Sequence, residues 1–171
     1  AISRRQESHR QWGATLKSRP VEGLSASLVL SGYRIADDAN RVSSTPEPQA
    51  LQGGSGTVTR RDGTGWSTAE LQAVWQGAEH ALSAGLHRNG YTLHNTVSPL
   101  ADWRAGEAAP NQRYDGRTAI TSLYAQDRWQ FHADASLTLG WRAERWTTTE
   151  GRQLGGGSSV KPRPASTGRT S

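Results

Sequence analysis

Residues 121–146, TSLYAQDRWQFHADASLTLGWRAERW, contain two runs in which apolar and polar residues alternate. In the second run, Leu137, Leu139 and Trp141 fall on one face of a strand, and polar residues or glycine fill the positions between them. Alternation with a period of two residues is typical of a β-strand whose two faces meet different environments. The stretch therefore predicts a β-hairpin across the short polar segment HADA, with an apolar face that meets either a protein core or lipid.

The same alternation recurs along most of the chain, and it predicts an all-β fold. The expected architecture is an antiparallel up-and-down meander of about six strands within residues 1–150. The predicted strands lie near 10–17, 23–36, 64–76, 80–94, 118–131 and 136–149. Short connections at 18–22, 77–79 and 132–135 alternate with long ones at 36–65 and 95–117, a pattern that is typical of outer-membrane barrels.

The segment 67–86 also fits a helix. Ser67 and Glu70 have the spacing of a capping box, and apolar residues follow at helical spacing. Gly77 in the middle of the segment and an equally regular period of two argue for two strands. The regular alternation in the other four predicted strands favours two strands here as well, and a mixed α+β domain remains the alternative.

Composition excludes several classes of function. The chain has no Cys, so it has neither disulfides nor a Cys-based zinc site, and no run of about 18 apolar residues predicts a transmembrane helix. The net charge is +5, of which +4 comes from Arg152, Lys161, Arg163 and Arg169 in a tail without acidic residues. Because the remaining chain has no clustered basic stripe, we expect no nucleic-acid partner.

The apolar faces consist mainly of Leu and Ala, and four Trp lie close to strand ends. These four are Trp12, Trp75, Trp129 and Trp141. Lipid requires apolar side chains without the close complementarity of a soluble core, and indole rings favour the membrane interface. The pattern favours a piece of transmembrane β-barrel in contact with outer-membrane lipid, with the four Trp as membrane-interface aromatics.

Two stretches resemble a known family. SLYAQDRWQF (122–131) followed by SLTLGWRAERW (136–146) is similar to a barrel hairpin of TonB-dependent outer-membrane receptors, and HALSAGLHRNGYTLHN (80–95) resembles another strand of these barrels. The similarity of rhythm covers residues 9–150, and the tail does not match. The chain shows neither the plug domain nor the TonB-contacting segment of that family.

The resemblance implies part of a bacterial outer-membrane receptor for a scarce ligand such as a ferric siderophore. Six strands cannot close a barrel, for which about eight is the minimum, so we expect an incomplete barrel that is inactive alone. TonB would act only through a plug that this chain lacks. The alternatives are a soluble antiparallel sheet domain that binds a sugar or a protein, and a non-functional truncated remnant.

If the receptor interpretation holds, ligand contacts come from residues in or near the second long loop. The candidates are His87, Tyr91, His94, Trp103, Arg104 and Tyr114. Aromatic rings and guanidinium groups suit an anionic iron chelate. No catalytic motif occurs, so we expect neither an enzyme nor a cofactor.

Two further expectations concern the histidines and the tail. His80, His87 and His94 are seven residues apart, which places His87 on the opposite face of a strand from the other two, and we expect no metal site. Residues 151–171 contain Gly and Pro without alternation, which predicts a flexible loop or a disordered tail.

Overall fold

The structure, a computed structural model, describes residues 1–155, 158–160 and 166–170, and its strands form one antiparallel sheet. The strands are β1 (Ser3–Val21), β2 (Leu24–Ser43), β3 (Gly56–Arg60), β4 (Gly65–Gln76), β5 (His80–Leu100), β6 (Gln112–His132), β7 (Ala135–Gly155), β8 (Ser158–Val160) and β9 (Ser166–Thr170). A short 3-10 helix, Gln49–Gln52, lies between β2 and β3. The predicted all-β, antiparallel fold class is confirmed.

Neighbouring positions in the sheet follow the order of the chain. β3 and β4 lie end to end between β2 and β5: β3 pairs with 39–43 and 96–100, and β4 pairs with 24–34 and 81–92. β8 and β9 both pair with β7, on the side away from β6. The described strands therefore form an up-and-down meander that fills the positions β1, β2, β3/β4, β5, β6, β7 and β8/β9.

The strands are longer and more numerous than the sequence predicts. β2 continues to Ser43, β5 continues to Leu100, and β6 begins at Gln112, so strands occupy much of the predicted loops 36–65 and 95–117. In these outer parts of the strands the regular alternation of apolar and polar residues is lost. Backbone hydrogen bonds between strands need no such pattern, and pairing continues where the sequence signal ends.

Residues 67–86 form parts of two strands rather than a helix. β4 and β5 pair from Gly65 and Thr92 down to Gln76 and Ala81, and the Gly77 N–H donates to the His80 carbonyl at 2.8 Å. β4 also pairs with β2 on its other side. Partners on both sides satisfy the backbone groups that a helix would satisfy internally, which decides between the two interpretations.

The described part of the tail pairs with β7. β7 continues to Gly155, β8 pairs with residues 153–155, and β9 pairs with residues 144–148. The flexible or disordered tail that the sequence predicts includes residues 156–157, 161–165 and 171, which lie outside the described residues. In the remainder of the tail, the structure differs from the expectation by forming strands.

Side chains alternate between two faces, which we call the apolar face and the polar face. The register places Leu16, Leu28, Leu71, Leu86 and Leu123 directly beside one another on β1, β2, β4, β5 and β6. We call this set the leucine row. The next position along each strand points to the polar face, where the same register brings together Thr15, Val29, Glu70, His87 and Ser122.

The two ends of the sheet differ in their connections. At one end, the turns at 22–23, 77–79 and 133–134 are short, and at the other end the connections 44–55 and 101–111 are long. No helix in the part of the chain that the structure describes is both long enough and apolar enough to cross a membrane.

The long connections pack on each other at their own end of the sheet. Trp103 is only 7% exposed, and its indole N–H donates to the Ala50 carbonyl at 2.9 Å. Gly56 on β3 lies beneath Trp103, because a Cβ atom at Gly56 would sit 2.5 Å from the Trp103 Cβ and 2.4 Å from the Val42 carbonyl oxygen. The absence of a side chain at Gly56 is therefore what allows the second loop to close over β3.

We predict that Gly56→Ala destabilises the chain by about 1–3 kcal/mol, because the added methyl group overlaps a backbone oxygen that cannot move away on its own. The measurement is urea unfolding of the chain refolded in detergent micelles. Gly116→Ala on β6 is the matched control, since a Cβ there meets nothing within 4 Å. Equal stability of the two variants would contradict the packing of Trp103 on Gly56.

Candidate functional site

A hydrogen-bonded polar network occupies the middle of the polar face. Ser122 is fully buried, and its hydroxyl donates to Glu144 Oε1 at 2.9 Å. Arg142 Nε donates to the same carboxylate oxygen at 2.8 Å, and the Tyr124 hydroxyl donates to Glu70 Oε1 at 3.2 Å. These hydrogen bonds connect β6 with β7 and, separately, β6 with β4, and they fix the charged groups on the polar face.

A row of aromatic side chains lies on the polar face closer to the long loops. Tyr33, Trp66 and Tyr91 are direct cross-strand neighbours on β2, β4 and β5. The rings of Tyr33 and Trp66 stack at 6.3 Å, and His9 on β1 stacks on Tyr33 at 5.7 Å. We call these four residues the aromatic row. Trp66 precedes Glu70 by four residues, so the row lies about 13 Å along the strand from the polar network.

Three of the residues that the sequence nominates share the polar face. His87 lies beside Glu70 and Ser122, Tyr91 belongs to the aromatic row, and Tyr114 pairs with Asn95 at the end of the sheet that bears the long loops. Sequence reasoning missed His9, Tyr33 and Trp66. Tyr33 could have been recognised in the sequence. It is an aromatic residue in the set of alternate positions that also contains Ser25, Ser27 and Ser31.

His94 lies on the side of the sheet opposite to His87. Its Nδ1 is 2.5 Å from Asp115 Oδ1, and Arg113 Nε donates to the other oxygen of Asp115 at 2.6 Å. His80 is on the same side as His94, as the spacing of seven residues predicts. Among the described residues, no group of three or more His, Asp and Glu could hold a metal ion.

Trp103 and Arg104 belong to the contact between the two long loops. Trp103 is buried against Ala50, and the Arg104 guanidinium contacts Gly53, whose φ of 111° favours glycine. Two guanidinium nitrogens of Arg104 donate to Asp102, at 3.2 and 3.1 Å, and the Arg104 backbone N–H donates to the same carboxylate at 3.0 Å. In this arrangement Trp103 presents little surface to a ligand, while Arg104 remains partly exposed.

The four nominated Trp residues, Trp12, Trp75, Trp129 and Trp141, all lie on the apolar face and are exposed. Asp127 is a charged residue on this face, between Leu82 and Leu139. Its Oδ2 is 2.8 Å from His80 Nδ1, and the His80 ring stacks on Trp129 at 5.8 Å. His80 thus partners one oxygen of this carboxylate, while Asp127 Oδ1 is buried with no hydrogen-bond partner among the described residues.

The family model described as "TonB dependent receptor-like, beta-barrel" matches residues 4–170. The chain belongs to the TonB-dependent receptor family. Neither the curated proteins nor the solved structures gave a match.

The match to the receptor barrel extends beyond the resemblance seen in the sequence. The resemblance in the sequence covers residues 9–150 without the tail, and the match through residue 170 corrects that limit. The pairing of β8 and β9 with β7 gives the physical reason, because these residues continue the sheet of the receptor barrel. Members of this receptor family are outer-membrane transporters of Gram-negative bacteria rather than enzymes.

The hydrogen bonds from Arg104 lower the pKa of the Asp102 carboxyl below its ordinary value. The ion pair therefore stabilises the loop fully above the ordinary pKa of Asp, and this contribution is lost as the pH falls through the lowered pKa of the folded chain. We predict that Arg104→Gln returns the pKa of Asp102 toward its ordinary value near 3.8, as followed by the carboxyl carbon shift in NMR. Arg19→Gln, which removes a cation at the opposite end of the sheet, should leave it unchanged. An Asp102 pKa that Arg104→Gln does not raise would contradict the pairing.

Proposed function

We propose that this chain forms part of the wall of a bacterial outer-membrane receptor that takes up a scarce ligand such as a ferric siderophore. The apolar face contacts the lipid, and the polar face lines the interior of the barrel. The observation that carries the proposal is the leucine row, which is continuous from β1 to β6 and mostly exposed.

The exposure of these leucines supports lipid rather than a soluble core. Leu71 is 52% exposed, Leu86 is 46% exposed and Leu123 is 50% exposed. Contiguous apolar patches of this breadth are rare on soluble monomers. A soluble sheet domain would cover them, whereas hydrocarbon chains stabilise them where they are.

The height of the apolar face fits a bilayer. On β6 the apolar phase runs from Leu123 to Phe131, interrupted by the paired Asp127, which is about 27 Å along the strand. At a tilt of about 40° this length spans about 21 Å, close to the apolar band of about 25 Å on outer-membrane barrels.

The apolar face also shifts along the strands in the way that tilted strands require. On β1 it reaches Trp12, whose register line crosses the sheet to Thr147 on β7. On β7 the apolar residues end at Ala143, four residues short of Thr147. In a barrel the strands are tilted, and each is staggered against the next. An apolar band at constant height in the membrane therefore crosses the lines of paired residues in this direction.

A groove on the apolar face has the shape of a site for hydrocarbon. It has a volume of about 500 Å³ and lies between Trp75 and Trp141, over a floor of Ala73, Ala84 and Ala125. The small floor residues and the large flanking rings leave a trough that an acyl chain fills without any polar partner.

The aromatic row is the surface that we assign to the ligand. Tyr91 is exposed, and Tyr33 and Trp66 extend the same surface across two more strands. Flat rings on the inner wall near the loops would stack on the aromatic or conjugated groups of an iron chelate, and His87 lies deeper on the same face. Among the described strands, β1 pairs on one side only, which supports the proposal that the sheet alone is inactive.

We predict that lipid-borne quenchers distinguish two tryptophans of equal exposure. Trp129 on the apolar face and Trp146 on the polar face are both 42% exposed. In single-Trp variants refolded into vesicles of brominated phosphatidylcholine, Trp129 should be strongly quenched because it contacts acyl chains, and Trp146 should not. Equal quenching of both residues, or none at Trp129, would overturn the assignment of the faces.

We also predict that the aromatic row binds a catecholate iron complex. Trp66→Ala should weaken the binding of iron(III) tris-catecholate by about 2–10-fold, since one aromatic stack contributes about 0.5–1.5 kcal/mol. The measurement is calorimetric titration of the chain in detergent micelles. Trp12→Ala removes the same residue type from the apolar face and should leave the affinity unchanged. No binding to the unmodified chain, or equal losses in both variants, would contradict this ligand site.

A further inference from the structure

A second depression, of about 730 Å³, lies beyond the leucine row on the same side of the sheet, toward the long loops. Its floor consists of small residues in neighbouring register positions, Ser67 on β4, Gly90 on β5 and Ala119 on β6. Arg34, Arg88 and Arg117 line its walls. We call this site the arginine groove.

Two of the arginines that line the groove lie at different distances from the leucine row along their strands. Arg88 follows Leu86 of the leucine row by two residues on β5, so its Cα lies about 7 Å farther along the strand. Arg34 on β2 is six residues beyond Leu28, about 20 Å along the strand. A molecule in the groove would thus touch guanidinium groups at one end and the leucine row at the other.

The acidic group that lines the groove is already paired. Asp62 accepts a hydrogen bond from the Asp38 N–H at 2.7 Å and lies 3.6 Å from Arg60. His94, at the far end of the lining, pairs with Asp115. Within the part of the chain that the structure describes, neither Arg34 nor Arg88 forms an ion pair with a carboxylate. The groove therefore presents uncompensated positive charge beside an apolar surface.

We propose that the arginine groove binds the phosphorylated headgroup of an outer-leaflet lipid whose acyl chains lie on the leucine row. This inference rests on the proposed function, since it needs the apolar face to meet lipid. Guanidinium groups bind phosphate through paired hydrogen bonds, and the small floor residues leave room for a headgroup against the backbone. The proposed ligand is therefore amphipathic. Its anionic group binds the arginines, and its hydrocarbon chains contact the leucine row.

The test is native mass spectrometry of the full chain refolded in detergent micelles, titrated with phosphatidic acid or with phosphatidylcholine. The unmodified chain should retain one phosphatidic acid in preference to phosphatidylcholine. The double variant Arg34→Gln/Arg88→Gln should lose about 25-fold in affinity for phosphatidic acid, at about fivefold for each arginine. The double variant Lys17→Gln/Arg128→Gln removes two cations from the polar face and should bind like the unmodified chain.

Two results would overturn the inference. One is a phosphatidic acid affinity that is the same in both double variants. The other is displacement of the lipid by a large excess of inorganic phosphate, which would assign the groove to a free anion. Quenching by brominated lipid separates these outcomes from failure of the proposed function: without quenching at Trp129 both proposals fail, and with it only this one does.

Discussion

The hydrogen-bond register between neighbouring strands determines every surface of this molecule. Because side chains alternate along each strand, a slip of one residue in any pair would move leucines to the polar face and glutamates to the apolar face. The register from Leu16 on β1 to Leu123 on β6 is free of such slips at the leucine row. One ladder thus produces both the apolar face and the aligned charged groups of Glu70 and Glu144 on the other side.

The alternation of apolar and polar residues was sufficient to predict the two faces of this sheet. The hairpin 121–146 and the strands around Leu28 and Leu71 follow from the alternation, because one face there is uniformly apolar. The apolar phase also contains all four nominated Trp. Asp127 contradicted the pattern in the sequence, and its pairing with His80 depends on a register between β5 and β6 that no local signal defines.

The outer ends of the strands could not be predicted, since the phase of the alternation changes there. The β1–β2 pairing shifts between Ser8 and His9, and the chain leaves the ladder at 61–64 between β3 and β4. A residue gained on one strand exchanges its two faces from that point onward. Ala39 on β2 therefore packs with Val58 and Leu100 in a small cluster, although it is out of phase with Leu28 and Leu30 on the same strand. The aromatic row was missed for a different reason, because Tyr33, Trp66 and His9 come together only by pairing of distant strands.

The interruption at 61–64 has a consequence for how such a wall can diversify. The register of β2 with β4 ends at Arg34 and Gly65, and a separate register of β2 with β3 begins at Ala39 and Arg60. Between the two ladders, Ile35 still exchanges backbone hydrogen bonds with Thr64 and Gly63, and the Arg61 N–H donates to the Asp38 carbonyl, so residues 61–64 stay attached to β2. Residues can therefore be inserted or removed within 61–64 while the pairs Arg34–Gly65 and Ala39–Arg60 stay in place, which lets the outer part of the wall change length without altering the register of the leucine row.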